Sequence, residues 1–156
     1  MGGVGTWEVR RAAAADAGVV AELLDAFNRE FDTPTPGVEV LAGRLERLLA
    51  GDELVVLLAG EPAAGVAVLS FRVNVWSEGP AVVLDELYVR PGLRDQGVGG
   101  AMLGAACEVA KGRGAEALEI NVDGADTDAR RFYEAHGFVN VEPGADEPMY
   151  YYYRDL

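Results

Sequence analysis

VRPGLRDQGVGGAMLGAAC, residues 89–107, begins as the end of a strand and finishes as a helix, with an arginine and a crowd of glycines between. A helix N-terminus leaves its first amides unpaired and carries a partial positive charge, and glycine lets backbone amides approach an anion without interference from Cβ. Together these features make a phosphate site, and Arg94 adds a full charge at its rim. The same residues also read as a tight strand-to-helix turn whose glycines serve only close packing. Two familiar phosphate motifs do not fit. Walker A needs a Lys followed by Ser or Thr after its glycines, and that pair does not occur in this stretch. The dinucleotide fingerprint GxGxxG would put its third glycine where Met102 stands, and the loop before it is longer and more polar than a Rossmann turn.

Upstream of this junction, Thr6 to Arg11 is expected to form a short opening strand. Asp16 suits the N-cap of a helix whose Val19, Val20, Leu23, Leu24 and Phe27 recur at helical spacing, ending near Phe31. Asp32 to Gly37, with two prolines, breaks that helix. A second helix carries Val40, Leu41, Leu45, Leu48 and Leu49 and stops at Gly51. Three strands follow, Glu53 to Ala59, Gly65 to Trp76 and Ala81 to Val89, joined by turns at Gly60 to Pro62 and Ser77 to Pro80. The pattern then alternates: a helix over Gly97 to Arg113, a strand over Ala115 to Val122 and a helix over Ala125 to His136. Short strands around Phe138 and over Met149 to Tyr153 close the chain. A strand–helix–strand run implies a right-handed parallel crossover. The expected fold is therefore mixed α/β, with an antiparallel N-terminal meander and a parallel centre, in a single domain spanning 1–156.

Composition narrows the function. A net charge of −13, with Lys111 the sole lysine, argues against nucleic acid, because phosphate backbones are held by clustered Lys and Arg. The acidity serves solubility, or attracts a cationic substrate. Cys107 stands alone and His136 is the one histidine, so neither a disulfide nor a cysteine- or histidine-based metal site is expected. Asp16 and Glu22 interrupt any signal-like apolar run, and no stretch reaches membrane-spanning length. The expected setting is the cytoplasm, with no membrane and no metal.

Arg94-Asp95-Gln96-Gly97-Val98-Gly99 has the R/Q-x-x-G-x-G/A pattern that opens the central helix of the GNAT N-acetyltransferases, and the stretch resembles that family. Leu87-Tyr88-Val89-Arg90-Pro91 looks like the family's fourth strand running into its loop. Ala129 to Phe138, with Phe132-Tyr133-Glu134 and Gly137-Phe138, resembles its A-x-x-F/L-Y-E-x-x-G-F signature. Two signatures in the right order, separated by a strand, carry the resemblance across essentially the whole chain. It implies a central sheet with helices on both faces and strands four and five splayed apart. It also implies a pyrophosphate cradle for acetyl-coenzyme A over Arg94, Asp95, Gln96, Gly97, Val98, Gly99 and Gly100, with the pantetheine arm along Leu87, Tyr88 and Val89. The family often has an asparagine where this chain has Asp126. A carboxylate is electrostatically unhelpful beside an anion, so Asp126 also reads as a helix N-cap.

By the same resemblance Tyr133 takes the place of a tyrosine that protonates the departing thiolate, although Ala129, Phe132, Tyr133 and His136 also share a helical face that suits packing. Asp85 and Glu86 interrupt the apolar run Val82 to Val89, where carboxylates are costly unless paired or facing a wet cleft. Neighbouring strand residues point to opposite faces, so an unbulged strand would offer only one of them. Glu86 first, and Asp85 second, are the candidates for a base acting through water or an anchor for an ammonium group; one solvated acid and one salt-bridged acid is the other reading. Cys107 reads as a small core residue, His136 as a helix-end cation, and Trp76 as packing or the lining of an acceptor pocket. At most two of the Tyr150 to Tyr153 hydroxyls could reach a cleft. The implied reaction is acetyl transfer to a small cationic amine, aminoglycoside-like or polyamine-like, by an enzyme for which a homodimer is compatible. Acetylation of a protein N-terminus or lysine, and a non-catalytic acyl-CoA sensor, are the alternatives.

Overall fold

The computed structural model describes residues 6–156. The chain divides into two compact units, Met1–Ile120 and Asn121–Leu156. The first contains strand β1 (Val9–Arg11), helices α1 (Ala17–Glu30) and α2 (Val38–Leu48), strands β2 (Leu54–Ala59), β3 (Gly65–Arg72) and β4 (Ala81–Val89), helix α3 (Val98–Gly112) and strand β5 (Leu118–Ile120). The second contains helix α4 (Thr127–Ala135). Among the described residues no helix is long and apolar enough to cross a membrane.

The five strands form one sheet in the order β1-β2-β3-β4-β5, antiparallel through β4 and parallel between β4 and β5, which is the mixed α/β arrangement expected. β2, Leu-Val-Val-Leu-Leu-Ala, is apolar on both faces because both faces are covered. Val56 and Leu58 join Val66, Val68 and Tyr88 in a cluster with Val20, Leu23 and Leu45 of α1 and α2. The alternate residues Val55, Leu57 and Leu69 are buried on the opposite face, against which α3 brings Met102, Leu103 and Ala106. Each fully buried aliphatic side chain contributes about 1.5–3 kcal/mol, so the two-sided burial of β2 and β3 anchors the sheet.

Several boundaries move. The opening strand shortens to Val9–Arg11 and the fifth to Leu118–Ile120, the residues their ladders reach. The third strand ends at Arg72 rather than Trp76, because Asn74 diverts the chain: its Oδ1 accepts from Trp76 N at 3.0 Å and its Nδ2 donates to Ser77 Oγ at 2.9 Å. Trp76 is consequently 92% exposed and packs in no pocket. Asp16 does precede α1, but its carboxylate caps none of that helix's amides. It accepts from Ala13 N at 2.8 Å and from the Arg10 fork at 2.8 and 2.9 Å, and these bonds, Arg10's foremost, hold its pKa down to about 2.

The closing strands do not form. Phe138 instead ends α4: Gly137 adopts φ +88°, Phe138 N donates to Tyr133 O at 3.0 Å, and the Phe138 ring meets that of Tyr133 edge-on at 5.7 Å. That is a Schellman closure with its hydrophobic contact. Met149 to Tyr153 pairs with no strand among the described residues; a single bridge, Val141 with Pro148, precedes it, and Tyr150 to Tyr153 are exposed. A strand requires a ladder, so favourable β-propensity alone does not make one.

Between Ser77 and Pro80 the chain passes against the residues that follow α3, and a Cβ on Gly79 would collide with the Gly114 carbonyl oxygen. Gly104, inside α3, faces open space. Gly79→Ala should therefore lower stability by about 1–3 kcal/mol, as overpacking against backbone does. Gly104→Ala should raise it by about 0.5–1 kcal/mol through helix propensity. Urea unfolding of the two variants, with opposite shifts in midpoint, checks the close approach.

Candidate active site

The site grows from a break in the alternation of β4. Glu86 pairs with Val68 and Leu84 with Leu69, so Asp85 is an extra residue with no partner on β3. Leu84 and Glu86, two apart, would share a face in a regular strand; the inserted residue puts them on opposite faces. Val82 and Leu84 thus pack inward on one side, while Glu86 and Tyr88 turn toward the side of Val66 and Val68. On the other edge of β4 the parallel ladder with β5 runs from Val82↔Leu118 to Leu84↔Ile120, where β5 ends, so Asp85 onward has no ladder partner on β5.

Asp85 is exposed and Glu86 is half-buried. Burial pushes the Glu86 carboxyl above the usual carboxylate range, and the neighbouring negative charge of Asp85 pushes it further. A carboxyl raised in this way is better suited to take a proton near neutrality. Leu87 and Val89 are half-buried, whereas the Tyr88 ring is buried in the core, stacked on Phe27 at a centroid distance of 4.9 Å. The side chain of Tyr88 is therefore part of the packing, and its backbone is what remains for a ligand.

After β4 a short 3-10 turn, Pro91–Leu93, leads to the glycine junction. Asp95 and Gly97 both take left-handed conformations, φ +61° and +86°. Left-handed residues set among ordinary ones are the backbone device that builds anion-binding concavities. Gly97 is the N-cap of α3 and brings no side chain to occupy the first-turn amides. Val98 is buried and anchors the helix, Gly99 and Gly100 are half-buried in its first turn, and Asp95 and Gln96 are exposed. Arg94 is not free at the rim as the sequence suggests: Nε donates to Val89 O at 3.0 Å and Nη2 lies 2.7 and 2.8 Å from the two carboxylate oxygens of Glu30.

In the second unit Asp126 caps α4, its Oδ1 accepting from Ala129 N at 3.0 Å, which bears out the capping reading. Tyr133 is half-buried on α4, with the rings of Phe132 and Phe138 edge-on to its own. His136 ends that helix, Nδ1 donating to Phe132 O at 2.7 Å. Cys107 is a half-buried free thiol on α3.

Sequence reasoning missed two residues that shape the junction. Trp7 donates from Nε1 to Gln96 O at 2.9 Å, pinning the loop to the start of β1, and Glu30 holds Arg94. Both contacts join residues more than 80 or 60 positions apart, beyond the reach of any local pattern.

The model of the acetyltransferase (GNAT) family matches residues 20–138. The chain is 30% identical over 132 residues to an uncharacterized N-acetyltransferase, YhfO, of Bacillus subtilis, covering 83% of this chain and 88% of that protein. Among solved structures, a proposed acetyltransferase from Arthrobacter sp. FB24 superposes with a TM-score of 0.91 at 62% identity, covering 96% of each chain. AAC(6')-Iy, in complex with the bisubstrate analogue CoA-S-monomethyl-acetylneamine, superposes with a TM-score of 0.76 at 21% identity, over 96% of this chain and 99% of that one. The chain belongs to the acetyltransferase (GNAT) family, and it is a transferase.

Because Gly97 holds a left-handed conformation that β-branched residues resist, Gly97→Val should distort the junction while the sheet stays intact. Calorimetric titration with CoA should show affinity falling by about 10-fold or more, the loss of roughly one charge-assisted bond. Unchanged affinity in the folded variant would show that the junction is not a cradle.

Proposed function

We propose that the protein transfers the acetyl group of acetyl-CoA to the amine of a small cationic acceptor, aminoglycoside-like or polyamine-like. The observation that carries this reading is the bulged end of β4, where Asp85 and Glu86 interrupt an apolar strand that runs directly into a glycine-capped helix N-terminus. The donor chemistry fits the coenzyme: a pyrophosphate asks for N–H groups, and the stretch from Asp95 to Gly100 offers backbone amides at the positive end of α3. Leu87 and Val89 offer strand backbone beyond the last pair of the ladder with β5. Bound there, acetyl-CoA supplies an activated acetyl thioester.

The chain's own groups then have three tasks. Asp85 and Glu86 attract an ammonium ion, aided at range by the net charge of −13. Glu86 accepts the proton that the amine must lose, directly or through water, so that nitrogen can form its bond to the acetyl carbon as the carbon–sulfur bond breaks. Tyr133, by its place in the family motif, gives a proton to the departing thiolate. Holding the partners in contact supplies much of the acceleration. Two outside supports are the family's use of acetyl-CoA and the CoA-linked amine bound by AAC(6')-Iy.

The direct test is release of free CoA thiol when the protein and acetyl-CoA are mixed with a panel of amines. Thiol released only with cationic acceptors supports the reading; CoA binding without thiol release from any amine points to a sensor. Glu86→Gln should lower kcat/KM for a cationic acceptor and abolish the rise of rate with pH that its deprotonation produces, a limb shifted upward by burial. Its folded-state pKa is raised, so stability is lost as pH rises from its ordinary pKa to the raised one, and the variant should be at least as stable at pH 7. Tyr133→Phe keeps the contacts with Phe132 and Phe138, so acetyl-CoA affinity should hold while turnover falls by about 10²-fold.

A further inference from the structure

Glu30 is the last residue of α1, where the helix dipole disfavours an acid. No residue of its own helix explains it; its bonds reach across the fold. Both carboxylate oxygens meet Arg94 Nη2, at 2.7 and 2.8 Å, and Oε1 also accepts from the Tyr88 hydroxyl at 3.1 Å. Arg94 in turn donates to Val89 O at 3.0 Å, with its guanidinium carbon 5.6 Å from the centroid of the Tyr88 ring. One carboxylate therefore ties the end of α1, the buried Tyr88 of β4 and the glycine junction into a single network.

That network is a poor way to present a cation. A carboxylate at 2.7 Å neutralises the guanidinium, and two of its three nitrogens are already bonded to protein. It is a good way to hold a loop. Arginine's planar fork fixes direction as well as distance, and here it spans from the β4 terminus to α1 just before two left-handed residues. We propose that Glu30 is a positioning residue for coenzyme binding: it fixes Arg94 as a splint that holds the Arg94-to-Gly99 turn in its anion-receiving shape, leaving the phosphates to the backbone amides. This rests on the acetyl-CoA reading above.

The two roles of Arg94 predict opposite signs. If Arg94 worked as a free charge for the phosphates, removing the Glu30 charge would release it and tighten CoA binding. If it is a splint, removing Glu30 loosens the loop and weakens binding. CoA affinity is measured by calorimetry for wild type, Glu30→Gln, Arg94→Gln, the double variant, Arg94→Lys and Tyr88→Phe, each checked for folding by thermal unfolding. The expected result is a loss of about 10-fold for Glu30→Gln, a size common for coupling through a shared network, with no further loss when Arg94→Gln is added. Turnover of Glu30→Gln at saturating acetyl-CoA should stay within about twofold of wild type, so the defect appears in KM and not in kcat. Arg94→Lys, which keeps the charge and loses the fork, should lose affinity as Glu30→Gln does, and it decides the matter alone if Glu30→Gln does not fold. Tyr88→Phe, which leaves the ion pair in place, should retain most affinity. Equal or tighter binding by Glu30→Gln, multiplying losses in the double variant, or full affinity in Arg94→Lys would each overturn the splint. Failure of wild type to bind CoA would instead overturn the acetyl-CoA reading and the proposal together.

Discussion

Side chains on a strand alternate, and a single inserted residue reverses every position beyond it. In β4 that residue is Asp85. Before it, Val82 and Leu84 face one layer of the core; after it, Glu86 and Tyr88 face the other. Without the insertion, Glu86 would point into the same apolar layer as Leu84, where a carboxylate has no partner and a cost of several kcal/mol. With it, the acid is only half-buried and Tyr88 reaches Glu30. The placement of the acids and the network around Arg94 both depend on that one register change.

The electrostatics follow from this geometry. Burial falls more heavily on Glu86 than on Asp85, and with the neighbouring charge of Asp85 it raises the Glu86 pKa. Eleven residues beyond Glu86, the backbone presents the opposite polarity. Gly97 leaves the N-terminal amides of α3 without a side-chain cap, and the partial positive charge of the helix is directed to the junction. An acidic strand end and an electropositive helix start thus lie on one continuous segment, Asp85 to Gly100. The network of Glu30, Arg94 and Tyr88 sits between them and is internally neutralised, so it holds the segment's shape without biasing either end.

Much of this was legible in the amino-acid sequence. Alternation and turn residues marked β4 at both ends, Ala81 and Val89, because a strand between Pro80 and the Arg90-Pro91 turn has little freedom in its limits. Helical spacing found α1, and the strand–helix alternation found α3, to within a residue or two at each end, and the motif from Arg94 to Gly99 located the glycine junction that the backbone then showed in left-handed form. Asp126 was readable as a cap because capping is a contact across three residues. These are all local interactions, and local sequence carries them.

What the sequence could not hold was anything set by partners far along the chain. Asp85 carries no mark of being the inserted residue, since a bulge exists only relative to Val68 and Leu69 on the neighbouring strand. Trp76 has strong strand propensity yet lies in solvent, because Asn74 turns the backbone before any ladder can reach it. Met149 to Tyr153 reads as a strand by composition and has no partner among the described residues to make it one. Arg94 reads as a free cation until Glu30, 64 positions away, is folded against it. Propensity, periodicity and capping act over a turn of helix or a few residues of strand, and the sequence alone determined what depends on them. Register, edge pairing and the partner of a charge are properties of two segments at once, so only the tertiary structure decided those.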